Sequence, residues 1–178
     1  MSKHIVQLFK KMARPTYLVP PNPNNMTTPL QLKQALLVHC QTQTAERITG
    51  ITDALADIET ARNGETKSSA GDKFETGRAM MQMEEAKLQG QLAEVLKVRQ
   101  VLDQIRPDAS TERVAAGSLV ATNRGNYFVA IGLGKVKLEG RIFFCTSLDA
   151  PIGKALLGRA TGDTFLFNEL QFEIMGMV

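Results

Sequence analysis

The sequence has few of the residues that build metal centres and covalent active sites. Its 178 residues include no tryptophan, two histidines and two cysteines. Cys40 and Cys145 are far apart in the sequence, and their spacing is not that of metal ligands. So few cysteines are typical of proteins from a reducing cytoplasm. His39 adjoins Cys40, but neighbours on a helix point in different directions. A zinc site and an enzyme with a cysteine–histidine nucleophile are therefore both disfavoured.

Long apolar runs are also missing. Nothing approaches the roughly 18 consecutive apolar residues of a membrane helix, and the first apolar stretch is too short for a secretory signal. We therefore expect a cytoplasmic protein with no membrane partner. The net charge of +3 comes from the N-terminus, because residues 1–29 contain four Lys or Arg and no acid. The balanced remainder argues against a broad nucleic-acid-binding face.

Residues 1–25 differ in composition from the rest. A short basic amphipathic stretch is followed by R-P-T-Y-L-V-P-P-N-P-N-N, which is rich in Pro and Asn. This composition predicts a disordered extension outside the globular protein. Two other interpretations stay open: translation could begin at Met26, or the segment could anchor the protein to a membrane or a partner.

Two long helical patterns follow. Thr28, or the threonine before it, fits an N-cap, and Pro29 suits the first helical position. The first helix is predicted to run from there to about Asn63. The second is predicted to begin near Ser69–Asp72 and to end before Pro107.

Each helical pattern has one narrow apolar seam. The seam residues are Leu37, Thr44, Ile48, Ile51, Leu55 and Ile58 in the first helix, and Phe74, Met81, Leu88, Val95 and Leu102 in the second. Two such helices joined by a short polar link should fold back on each other. Residues 26–106 are therefore predicted to form an antiparallel two-helix coiled coil with a polar tip near residues 64–78.

The pattern changes to short strands after a predicted linker at residues 107–116. Six runs rich in β-branched and aromatic residues are separated by Gly, Asn or Asp. One short helix is predicted from Asp149 to Leu157. Residues 117–178 are thus predicted to be an α+β domain, with an antiparallel sheet and one helix on it.

The tip contains two acids, Asp72 and Glu75, that are three residues apart. In a helix this spacing puts both on one face, and Mg²⁺ is commonly held by one or two carboxylates. A simpler interpretation stays open, because Ser69-Ala-Gly-Asp72 also fits a capping pattern and acids in a first turn favour the helix dipole.

Two motifs resemble the bacterial Gre transcript cleavage factors, GreA and GreB. Gly71–Glu75, G-D-K-F-E, looks like the family's G-D-x-x-E at the tip. Asp149–Gly158, D-A-P-I-G-K-A-L-L-G, followed by Gly162–Asp163, is similar to the family's S-P-x-x-x-A-L-L-G-K…G-D. The second motif is the more specific, and the resemblance spans about residues 30–178.

The resemblance implies an FKBP-like C-terminal domain that docks on RNA polymerase and a coiled coil that enters its secondary channel. Asp72 and Glu75 would then help to hold a Mg²⁺ ion, shared with the polymerase, where backtracked RNA is cleaved. The docking loop would comprise Asp149, Ala150, Pro151, Ile152 and Gly153. The factor would not itself be an enzyme. It would bind no cofactor stably, act on no small-molecule substrate and contact nascent RNA only indirectly.

Alternatives remain at both sites. After the tip acids the family reads N-x-E-Y, whereas this chain has Thr76-Gly77-Arg78-Ala79, so a channel-binding inhibitor without cleavage activity is a second hypothesis. Asp149 could instead cap the short helix. From other classes, an FKBP-like binding or chaperone module, or a peptidyl-prolyl isomerase with an aromatic pocket, would also fit the domain pattern.

Overall fold

The computed structural model describes residues 27–65, 73–109 and 112–178, and it contains two compact units. The sheet unit comprises Ile105–Val178 together with the described residues up to Leu37. The helical unit comprises Val38–Gln104. The predictions for residues 1–25 and for Asp72 lie outside the described residues.

The first helix, α1, spans Pro29–Glu65, with proline at its first position as predicted. Thr28 caps it, because its Oγ1 accepts a hydrogen bond from the Gln31 N–H at 3.2 Å. In return, Gln31 Oε1 accepts a hydrogen bond from the Thr28 N–H at 2.7 Å. This reciprocal pair satisfies two backbone donors that the helix leaves without partners.

The second helix, α2, spans Lys73–Gln104 and packs beside α1. In both helices of the helical unit, the buried and half-buried positions include the predicted seam residues. These are Thr44, Ile48, Ile51, Leu55 and Ile58 in α1, and Met81, Leu88, Val95 and Leu102 in α2. Apart from Phe74, whose side chain is outside those that the structure describes, the predicted seams therefore lie on the buried faces of the two helices.

The sheet unit contains six strands. They are β1 (Leu119–Thr122), β2 (Gly125–Ala130), β3 (Gly134–Leu138), β4 (Arg141–Ser147), β5 (Thr164–Phe167) and β6 (Leu170–Met177). Their order in the sheet is β3-β4-β2-β1-β6-β5. Each strand overlaps a predicted one, so the α+β class is confirmed.

The sheet is mixed, and the prediction of an antiparallel sheet is wrong. β2 pairs with β4 in parallel, with Phe128 beside Cys145, whereas the other pairs are antiparallel. A tight turn joins β3 to β4, and Glu139 (φ 50°) and Gly140 (φ 76°) both adopt the left-handed conformation of a type I′ hairpin. This hairpin puts β3 at the edge and β4 beside β2. Strand propensity does not specify which strand of a hairpin faces inward.

A third helix, α3, spans Pro151–Leu156 and packs on one face of the sheet. Its Leu156 is fully buried in a core that includes Val129 and Ile174. Phe128, the neighbour of Val129, is also fully buried, and successive strand residues point to opposite faces. Both faces of the sheet are therefore covered at its centre.

Candidate functional site

The structure places one of the two predicted tip acids. Glu75 lies in the first turn of α2 and is exposed, whereas Asp72 is outside the described residues. A carboxylate in this turn interacts favourably with the helix dipole whatever its further role. An exposed carboxylate is also the kind of ligand that Mg²⁺ prefers. Glu75 therefore fits the role of one magnesium ligand.

A cavity of about 300 Å³ lies close to Glu75 along α2. It is lined by Arg62 and Asn63 of α1 and by Arg78, Met81, Gln82 and Glu85 of α2. Glu75 and the three polar lining residues of α2 follow one another at intervals of three, four and three residues. Residues with this spacing share one face of a helix, so Glu75 and the cavity lie on the same side of α2.

The cavity has an excess of positive charge. Arg62 Nη1 lies 3.4 Å from Glu85 Oε2, and both side chains remain partly in solvent. Gln89 Nε2 donates a second hydrogen bond to Glu85, to Oε1 at 3.2 Å. Arg78 is exposed, and it forms no ion pair with any other described residue. Two guanidinium groups therefore face one carboxylate.

The predicted docking residues are consecutive. Asp149 and Ala150 lie in the turn between β4 and α3, and Pro151, Ile152 and Gly153 form the first turn of α3. Asp149 and Pro151 are exposed, Ala150 and Ile152 are half-buried, and Gly153 is buried. The Ala150 N–H donates to Ser147 Oγ at 3.2 Å and to the Ser147 carbonyl at 3.3 Å, which closes the turn.

Ala150 is the N-cap of α3, and no side chain caps this helix. The alternative in which Asp149 caps the helix is therefore wrong, because the turn puts Asp149 one residue too early. Pro151 does occupy the first turn, as predicted. Asp149 is left without a capping role and projects from an exposed position.

Gly153 sets how closely α3 approaches the end of β4. A Cβ added to it would overlap the carbonyl oxygen of Ser147 and lie 3.2 Å from Leu148 Cα. Backbone atoms in a hydrogen-bonded turn have little room to move aside. Within the predicted docking set, Gly153 therefore shapes the loop, and the exposed Asp149 and Pro151 are the side chains that a partner can contact.

An aromatic pair, Tyr127 and Phe144, lies on the face of the sheet that α3 covers. The two rings stack with centroids 5.4 Å apart, and both side chains are half-buried. Partial burial raises the pKa of Tyr127 above its ordinary value. Tyr127 and Ile152 of α3 pack against the same core. The half-buried pair therefore lies on the face of the sheet that also packs against Ile152 of the predicted docking set.

The chain matches no protein-family model and no curated protein. Its function is therefore inferred from the residues of these two regions. Across residues 27–65, 73–109 and 112–178, no group of three or more His, Cys, Asp or Glu side chains could hold a metal ion. No helix in the same ranges is long and apolar enough to cross a membrane.

Residues 117–178 contain seven aromatic residues that were considered for an isomerase pocket. Five of them have rings that contact one another on the face that α3 covers: Tyr127, Phe144, Phe165, Phe167 and Phe172. Phe128 and Phe143 are fully buried, and Phe128 points to the face opposite Tyr127. Phe165 and Phe172 belong to the buried core beside α3. The half-buried rings among the seven are Tyr127, Phe144 and Phe167.

Proposed function

We propose that the protein is a Gre-like transcription elongation factor that binds bacterial RNA polymerase and acts through its secondary channel. The observation that carries this proposal is the Asp149–Gly153 loop, in which Asp149 and Pro151 of the family-like motif are exposed. The hydrogen bonds to Ser147 and the close packing at Gly153 hold this loop in one shape. A preorganised loop binds a partner with less loss of conformational freedom.

The finer fold belongs to the same proposal. We propose that α1 and α2 form an antiparallel coiled coil and that the sheet unit is FKBP-like. The buried seams with heptad-like spacing support the first statement. The six-stranded sheet with one short helix on it supports the second.

In this proposal the helical unit delivers its tip to the polymerase active site. A Mg²⁺ ion there supplies Lewis-acid chemistry that activates water against the RNA phosphodiester. The carboxylates of Glu75 and Asp72 would hold that ion together with the polymerase. Because the polymerase contains the reaction centre, the factor is not an enzyme by itself.

An RNA cleavage assay on stalled elongation complexes tests this role. Replacing Asp72 and Glu75 together by Ala should reduce stimulated cleavage by at least about 10- to 100-fold, which is the loss typical of removing even the groups that support a metal's ligands. A matched double variant, Asp53→Ala with Glu59→Ala, removes two exposed acids from the C-terminal half of α1 and should cleave like the wild type.

Two other outcomes would redirect the proposal. Unchanged cleavage by the tip variant would refute the role of the two acids. A wild-type protein that binds polymerase and suppresses cleavage would instead support the inhibitor hypothesis.

The half-exposed aromatic pair favours one candidate from another class, an FKBP-like module that binds apolar or proline-containing segments. It predicts proline isomerisation or peptide binding that Tyr127→Ala reduces, together with no co-purification of polymerase. A polymerase pull-down separates this candidate from the elongation factor directly.

A further inference from the structure

The cavity beside the tip combines two guanidinium groups from two different helices. Arg62 lies near the end of α1, Arg78 lies near the start of α2, and both line the same space of about 300 Å³. The planar fork of arginine matches pairs of phosphate oxygens better than any other side chain does. The amide group of Gln82, which lines the same cavity, can donate further hydrogen bonds.

Glu85 is the one acidic residue in the cavity lining and would repel a bound anion. Its ion pair with Arg62 is weak. Their separation of 3.4 Å exceeds the roughly 2.7–2.9 Å of a strong charge-assisted hydrogen bond. Gln89 also donates to Glu85, so this carboxylate keeps a partner if Arg62 turns to a ligand. A multiply charged anion therefore competes well for Arg62, whereas a single carboxylate offers it no more than Glu85 does.

We propose that this cavity binds a free polyphosphate, such as pyrophosphate or the triphosphate of a nucleotide. The two guanidinium groups would clamp neighbouring phosphates from opposite helices. This activity goes beyond the proposed elongation role, since it requires no polymerase and no tip acid.

Calorimetric titration of sodium pyrophosphate into the full chain at low ionic strength tests the site. Arg62→Gln and Arg78→Gln should each weaken binding by about ten-fold or more, the effect of losing a charged hydrogen-bond donor. Arg47→Gln and Arg99→Gln remove the same charge from exposed positions of α1 and α2 outside the cavity lining and should change the affinity less than about two-fold. Glu85→Gln should tighten binding, because it removes the competing carboxylate.

A second arm distinguishes the source of the phosphate. A short RNA with hydroxyl ends contains only phosphodiesters, so the proposal expects pyrophosphate to bind more tightly and to displace it. The proposal would be overturned if pyrophosphate does not bind. It would also be overturned if the Arg62 and Arg78 variants weaken RNA binding but leave pyrophosphate binding unchanged. Equal losses in the cavity and control variants would also overturn it, since binding would then reflect overall charge. Circular dichroism checks that every variant is folded, and because polymerase is absent, a failure here leaves the cleavage test unaffected.

Discussion

Gly153 is the residue on which the shape of the proposed docking loop depends. Replacing it by Ala should destabilise the sheet unit by about 1–3 kcal/mol, since the added methyl group overlaps the Ser147 carbonyl and forces α3 away. Urea unfolding followed by circular dichroism measures the change. Gly132→Ala is the matched control, because a Cβ there meets nothing within 4 Å. Equal stability of the two variants would mean that α3 is not held against β4 as described.

Lys33 is a buried lysine near the start of α1, only 3% exposed. Its Nζ donates to the Ala109 carbonyl at 3.0 Å. Burial lowers the pKa of Lys33 below its ordinary 10.5, and the nearby Asp108 opposes this effect to a smaller extent. Between the lowered pKa and 10.5 the unfolded chain therefore binds more protons than the folded protein, so stability rises with pH in that window.

Comparison with Lys33→Met isolates this effect. As pH rises through that window toward 10.5, the wild type should gain stability relative to the variant by at most about 1.4 kcal/mol per pH unit, the limit for one proton. Urea unfolding of both proteins at pH 7 and pH 10 measures the difference. A difference that is constant with pH would show that Lys33 titrates as an ordinary exposed lysine.

Single residues were predictable from the sequence where local chemistry decides their position. The cap at Thr28 and the proline that begins α3 follow from residue type and neighbours. The cavity was not predicted. The spacing of Arg78 and Glu85 on one helix was visible, but the contribution of Arg62 depends on how α1 lies beside α2. Glycine is needed at position 153 because α3 lies very close to the end of β4, and no local sequence pattern encodes that distance.

At the scale of elements, glycines inside the long helices weaken them. Gly50 in α1 and Gly90 in α2 have no other atoms within 4 Å of an added Cβ. Gly50→Ala and Gly90→Ala should therefore each stabilise the helical unit by about 0.5–1 kcal/mol. Thermal and urea unfolding measure the gain, and cleavage stimulation should stay unchanged. A loss of stability at either position would imply a packing contact that the structure does not contain.

The same scale shows what strand patterns do and do not encode. Within the described residues, the six strands and three helices were predicted close to their observed bounds, because alternation, proline and glycine mark them locally. The parallel pairing of β2 with β4 was missed. It arises because β4, the second strand of the β3–β4 hairpin, pairs with β2 and leaves β3 at the edge of the sheet. A meander, in which β3 would pair with β2 and β4 would be at the edge, would have the same local sequence pattern.

At the scale of the molecule, the proposed docking residues and the proposed tip acid Glu75 lie in different compact units. Asp149→Lys should reduce polymerase recovery in a pull-down by about ten-fold or more, because reversing a charge in an interface disrupts its electrostatic match. Glu75→Ala should bind normally while losing cleavage stimulation. Glu173→Lys reverses another exposed acid of the sheet unit and serves as the control. If the Glu75 variant instead fails to bind polymerase, the main polymerase contact lies on the helical unit, and the docking role proposed for the sheet unit is wrong.

The stacked aromatic pair also gives the protein an optical reporter. The chain has no tryptophan and two tyrosines, Tyr17 and Tyr127. In a Tyr17→Phe variant, the ultraviolet emission would come from Tyr127, whose ring lies against Phe144 on the face of the sheet that α3 covers. A peptide or small ligand that covers this surface should change its fluorescence lifetime and its near-ultraviolet circular dichroism. Occupancy of the surface could then be followed with no attached dye.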